Sequence, residues 1–224
     1  MIDSKLRTAP LLALLLLASA CSSDDHSERT SGDTPNAPAM TAPADSAEKA
    51  PTTAELGKPA PEFALKDLDG KEHKLSQYKG KIVVLEWFSP ACPTCQWAYT
   101  TGPLVEMPEK MEKDGVVWLS VNSEAGEHAA ASIHDNKAFV DAHHMKAPVL
   151  LDPTGSVGRS YGAKSTPHMF VIDAKGTLVY RGGLDNAPGG HVNGGGERVD
   201  YVGDAVADVK AGRAVKTADT KSYG

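Results

Sequence analysis

Apolar and polar positions change rhythm several times along the 224 residues. The first apolar run, Leu11–Ala18, follows the basic Lys5 and Arg7. It is too short to span a bilayer as a helix, which takes about 20 apolar residues, and reads as the core of a signal peptide. From Ser22 to Glu55 large apolar side chains almost vanish, Met40 excepted, and Ser, Thr, Ala, Pro and Asp dominate. Such a stretch buries too little apolar surface to offset the entropy of ordering it, which predicts a disordered tether.

From residue 56 the pattern is that of a folded domain. Asp69-Gly70 predicts a hairpin turn before His73-Lys-Leu75. The largely apolar runs 81–88 and 116–122 predict buried strands, and 148–152, 169–173 and 177–180 predict shorter ones, the last two joined by the Ala174-Lys-Gly176 turn. Helices are expected over 92–101, with Pro93 in the first turn where a missing N–H costs nothing, and over 124–145, with Asp135 capping its second half. Gly102-Pro103 breaks the first of these, and Leu104, Met107 and Met111 continue an apolar face. Val199, Val202, Val206 and Val209 mark a closing helix ended by Gly212, after a loop at 182–196 holding seven glycines, expected to be flexible. Strands alternating with helices argue for an α/β sheet, which places its site beyond the carboxyl end of a central strand.

Composition narrows the chemistry. A net charge of −6 and a pI near 5.7 disfavour nucleic acid as a partner. Three cysteines are too few for a disulfide-stapled scaffold. Two of them, Cys92 and Cys95, stand at a predicted helix start, where unpaired N–H groups and the helix dipole favour the thiolate that does the chemistry. Half a zinc site is the competing reading, without a second cysteine pair or His-x3-His to complete it. A purely structural disulfide is weaker still, because so short a loop constrains little of the unfolded chain.

Resemblances sharpen this. Leu17-Ala-Ser-Ala-Cys21 resembles a bacterial lipobox, with Ala18 where the strongest ones carry leucine; an ordinary cleaved secretory signal is the alternative. It implies a lipoprotein signal peptide at 1–20, a lipidated tether at 21–55 and a domain at 56–224. Ser22 implies the outer membrane, facing the periplasm, in a Gram-negative host. Leu85-Glu-Trp-Phe-Ser-Pro-Ala-Cys-Pro-Thr-Cys95 resembles the active segment of thioredoxin-fold thiol–disulfide oxidoreductases, including the TlpA/ResA-like group. Gly57-Lys-Pro-Ala-Pro-Glu-Phe63 is similar to the opening of the AhpC/TSA (redoxin) branch, and Ser165-Thr-Pro167 resembles a cis-proline loop that packs against the cysteine pair. Tyr161–Gly183 is similar to a peroxiredoxin-like subgroup whose members often carry one active-segment cysteine and a cysteine-bearing tail after Tyr-Gly. This sequence stops at Tyr223-Gly224, without that tail or as a fragment.

The resemblance implies a thioredoxin-like fold, a central mixed β-sheet flanked by helices. Cys92 attacks a substrate disulfide and Cys95 resolves the mixed disulfide. Glu86, six residues before Cys92, is the candidate proton acceptor, with a solvent-reaching strand carboxylate as the alternative; Trp87, Thr166, Pro167 and His168 support the site, His168 as the histidine expected to touch it. Protein disulfides or dithiols and a redox partner protein are the expected partners, with contact to the membrane only through the lipid, and no cofactor or resident metal is expected.

Two alternatives stay open. Cys92-Pro-Thr with Ser89 three residues earlier echoes a peroxiredoxin segment, which would make hydroperoxides the substrate. Leu85 and Pro167 stand where that family carries proline and arginine, leaving Arg159 and Arg181 as guanidinium sources. The third reading is copper handling by the two thiols with a histidine from His128, His134, His143, His144, His168 or His191.

Overall fold

A computed structural model of the chain describes residues 53–123 and 129–224, without the side chains of 129–132. The predicted signal peptide, Cys21, nearly all of the tether and His128 lie outside the described residues. No described helix is long and apolar enough to cross a membrane.

Seven strands form one mixed sheet: β1 (Ala64–Asp67), β2 (Glu72–Lys74), β3 (Val83–Trp87), β4 (Val117–Asn122), β5 (Val149–Leu151), β6 (His168–Ile172) and β7 (Leu178–Gly182). Their spatial order is β2-β1-β5-β4-β3-β6-β7. β3, β4 and β5 run parallel, while β6 and β7 pair antiparallel on one side and β1 and β2 on the other. The helices are α1 (Pro93–Thr100), α2 (Met107–Lys113), α3 (Ala129–Ala142), α4 (Ser156–Tyr161) and α5 (Tyr201–Lys210). The predicted mixed sheet flanked by helices is the observed architecture.

Side chains alternate across the central strands and feed two cores. Val84, Phe88, Trp118, Met169, Val171 and Tyr180 belong to one, together with Cys95 and Tyr99 of α1. Val83, Leu85, Trp87, Leu119, Phe170 and Ile172 belong to the other. Every side chain of β3 is buried, as its largely apolar run suggests, and that burial includes Glu86, its one polar residue.

Several boundaries differ from expectation. Ala54, on the tether side of the expected limit, is buried and donates its N–H to the Ser160 carbonyl (2.7 Å). Asp135 lies inside an unbroken α3 and caps nothing. The sequence pattern missed α4, whose six residues are too few to show a helical period. Val199, expected on the face of the closing helix, lies before α5, which Asp200 caps, its side chain accepting from the Gly203 N–H at 2.8 Å. The glycine-rich loop is tied down instead of free. Buried Asp185 accepts from the Ala187 N–H and from Arg198, both at 2.8 Å, and Asn186 bonds the backbone of Glu197 and Val199.

Candidate active site

The loop after β3 delivers the dithiol. The Cys92 N–H donates to the Ser89 carbonyl (3.2 Å) and the Gln96 side chain to the Pro90 carbonyl (3.0 Å), which fixes the approach to α1. Cys92 is the N-cap, its backbone still extended, with Pro93 at the first helical position. It is half-exposed, whereas Cys95, inside the first turn, is buried. Opposite them the Thr166–Pro167 peptide is cis. It turns the Thr166 carbonyl toward Cys92, whose thiol donates to it at 2.8 Å.

The two cysteines ionise very differently. The Cys95 thiol, hydrogen-bonded to Cys92 Sγ, is the main cause that brings Cys92 down to about 4, against the opposing effect of burial. The Thr166 side chain and the amides of Cys95 and Thr94 add to the lowering. Cys95 is pushed far up by the same contact with Cys92, by burial and by the Glu86 charge. One sulfur is thus a thiolate at neutral pH, so its hydrogen bond to the Thr166 carbonyl belongs to the protonated form, and its neighbour keeps its proton.

Glu86 sits on the sheet face that carries Cys95. Its Oε2 accepts from the Tyr99 hydroxyl (2.6 Å), the Trp118 indole (3.0 Å) and the Ser120 hydroxyl (3.1 Å). Its Oε1 is buried without a protein partner. Burial raises the carboxyl to about 7, with the three donors pulling the other way. The alternative of a carboxylate reaching solvent is not what the structure contains.

Trp87 and His168 lie elsewhere. Strand alternation sends Trp87 to the face opposite Glu86, where its indole donates to Ser123 Oγ (2.9 Å) and packs against Tyr161 and Phe170. His168 pairs with Trp87 across β3 and β6 and shares that face. Its Nδ1 accepts the Lys164 N–H (3.2 Å) and its ring leans on Phe170; burial, aided by Lys164 and Arg181, lowers it to about 4. The expectation that His168 touches the cysteines is therefore corrected. Its neighbour Pro167 does stand at the site, but one step along an extended strand reverses the side chain. A cleft of about 400 Å³ opens on this second face, lined in part by Trp87, Ser89, Arg159, Lys164 and Thr166.

Sequence reasoning missed Tyr99, Trp118 and Ser120, the three donors to Glu86. The signal was there for two of them. Tyr99 lies four residues after Cys95 on one helix face, and Ser120 is in register with Glu86 on the neighbouring strand. Among the described residues no group of three or more His, Cys, Asp or Glu side chains converges as for a metal ion.

Comparison with known proteins agrees with this geometry. The chain is 30% identical over 125 residues to the thiol-disulfide oxidoreductase ResA of Bacillus thuringiensis subsp. konkukian, covering 56% of this chain and 68% of that one. It is also 30% identical over 122 residues to the thioredoxin-like protein YneN of Bacillus subtilis, covering 54% and 68%. A crystal structure of a hypothetical protein from Sinorhizobium meliloti 1021 superposes with a TM-score of 0.66 at 26% identity, covering 77% of this chain and 93% of that one. The AhpC/TSA family pattern matches residues 56–181, more than half of the chain and all of the strands that carry the dithiol and the cis-proline loop. The protein therefore belongs to the AhpC/TSA family.

Proposed function

We propose that the protein is a thiol–disulfide oxidoreductase of the cell envelope, working through Cys92 and Cys95 on protein disulfides and dithiols. The observation that carries this reading is the asymmetry of the pair. A partly exposed Cys92 is held at about 4 at a helix start, and a buried Cys95 stays protonated under the influence of burial and the Glu86 charge.

The chemistry runs in two exchanges. The Cys92 thiolate attacks one sulfur of a substrate disulfide; a Cys92–substrate bond forms, the substrate S–S bond breaks, and the departing thiolate takes a proton from solvent. Cys95 then passes its proton to Glu86 and attacks Cys92 Sγ. The mixed disulfide breaks, the second substrate thiol leaves with a proton, and a Cys92–Cys95 disulfide remains. Two electrons have moved from dithiol to substrate. The reverse sequence oxidises a partner dithiol, and the potentials of the two pairs set the direction. Thr166 flanks Cys92, its carbonyl accepting from the protonated thiol and its side chain favouring the thiolate, and Pro167 holds that loop in place. The test is insulin reduction, which Cys92→Ser abolishes and Cys95→Ser arrests at a mixed disulfide; full activity in Cys92→Ser contradicts the proposal.

Peroxide chemistry has less support. Arg159 donates to the Thr154 carbonyl (3.0 Å) and Arg181 pairs with Asp219 (2.8 Å), so both guanidinium sources are engaged elsewhere. Copper handling has less support: His168 faces away from the thiols, and among the described residues no group of three or more His, Cys, Asp or Glu side chains converges as for a metal ion. The address follows from Leu17-Ala-Ser-Ala-Cys21 read as a lipobox, with Cys21 lipidated and anchored in the outer membrane on the periplasmic side. There an oxidising milieu makes a dedicated redox partner protein necessary.

A further inference from the structure

The last residues of the chain return to the dithiol. The Arg181 N–H donates to the Ala218 carbonyl (3.0 Å) and the Thr220 N–H to the Arg181 carbonyl (3.1 Å), a parallel rung on the outer edge of β7. Asp219 pairs with the Arg181 guanidinium at 2.8 Å. Thr220 Oγ1 lies 2.7 Å from the Tyr180 hydroxyl and accepts the Gly183 N–H at 3.0 Å. Tyr223 donates to the buried carboxylate of Asp185, the group that also holds the glycine-rich loop through Ala187 and Arg198.

Apart from the Arg181 rung, glycines stand at the close approaches of this segment to other backbone. A Cβ on Gly182 would lie 2.7 Å from the Thr220 carbonyl oxygen, and one on Gly183 would lie 2.9 Å from that of Lys221. A Cβ on Gly224 would collide with the Thr166 carbonyl and lie 3.2 Å from the Thr166 nitrogen. That carbonyl is the one Cys92 donates to. Gly224 therefore lies on the backbone next to the nucleophile. On the other flank, Gly190 of the glycine-rich loop sits against the Trp97 ring of α1, where a Cβ would be 3.1 Å away.

We propose that residues 217–224 form a strap that selects what reaches Cys92, admitting small disulfides and excluding the extended backbone of a protein disulfide until it lifts. A small disulfide needs only the sulfur. A disulfide within a polypeptide brings flanking backbone past Thr166, into the space Gly224 fills. The strap lies at a sheet edge and is held by one rung, one exposed ion pair, three hydroxyl contacts and the packing of Tyr223 against the core, a set of ties that can open locally while the sheet stays folded. Asp185 is its buckle. This inference deepens the proposed function and rests on it for the identity of the substrate, but the strap itself can be tested without any exchange reaction.

The experiment compares alkylation of Cys92 by N-ethylmaleimide and by a polyethylene-glycol maleimide, located by mass spectrometry. It uses the intact reduced protein, Tyr223→Phe, Asp219→Asn, and the chain lacking residues 217–224. The large-to-small rate ratio is expected to rise about tenfold in the shortened chain, as when an accessible state passes from minor to dominant, and in the same direction in both single variants. An unchanged ratio in all three overturns the strap. If the shortened chain does not fold, the single variants decide. Insulin reduction on the same samples separates the two claims. A raised ratio without insulin reduction in any variant leaves the strap and removes its protein substrate, whereas insulin reduction with an unchanged ratio removes the strap alone.

Discussion

Glu86 has to reconcile burial with charge. Its rise from 4.5 to about 7 corresponds to about 3 kcal/mol between the protonation states of a fully enclosed group. The folded state binds this proton more tightly than the unfolded chain does, so stability falls as pH climbs from about 4.5 to about 7 and levels off above that. In a Cys92→Ser, Cys95→Ser background, where neither cysteine ionises, Glu86→Gln should remove that fall; urea midpoints at pH 5 and pH 8 check it. With both cysteines present, Glu86→Gln should slow resolution of the mixed disulfide by about a hundredfold, the lower range for a positioned proton acceptor, while leaving the first attack by Cys92 nearly unchanged. Stopped-flow exchange separates the two phases. For Cys92, the pH profile of alkylation should have its midpoint near 4 instead of the usual cysteine range.

Among the elements, α1 sets the geometry and its far end is tightly fitted. The Gly102 N–H donates to the Trp97 carbonyl (3.0 Å), and a Cβ on Gly102 would lie 2.6 Å from Ala98 Cα. Gly102→Ala should therefore cost about 1–3 kcal/mol, as overpacking does, and shift α1 under the thiols, lowering both the urea midpoint and the exchange rate. The start of α1 was legible in the sequence because Pro93 and the two cysteines mark it, and β3 because apolar residues surround its single acid, Glu86. α4 was not legible, being shorter than two helical turns, nor was the facing of His168, which depends on strand register and not on proximity to Pro167. The glycine-rich loop misled for a physical reason. Glycine there serves close approach, at Gly190 against Trp97 and at Gly182 and Gly183 against the strap, and the ties come from Asp185 and Asn186.

At the scale of the whole molecule, a reactive dithiol is joined through an apolar-poor segment to a lipobox-like cysteine. In a Gram-negative host Cys21→Ser should move the protein from the membrane to the soluble fraction without changing insulin reduction by the domain, as cell fractionation and assay would register. The domain's two cores meet the sheet from opposite sides, and Glu86 and Cys95 share one of those faces while Trp87 and His168 share the other. That division concentrates the chemistry at one corner, where α1, the cis-proline loop and residues 217–224 converge. The most direct test of a Cys92 nucleophile resolved by Cys95 is mass spectrometry of Cys95→Ser incubated with a protein disulfide. A one-to-one covalent adduct on Cys92, absent from Cys92→Ser, is the predicted result; no adduct on Cys92, or an equal adduct when Cys92 is replaced, would contradict it.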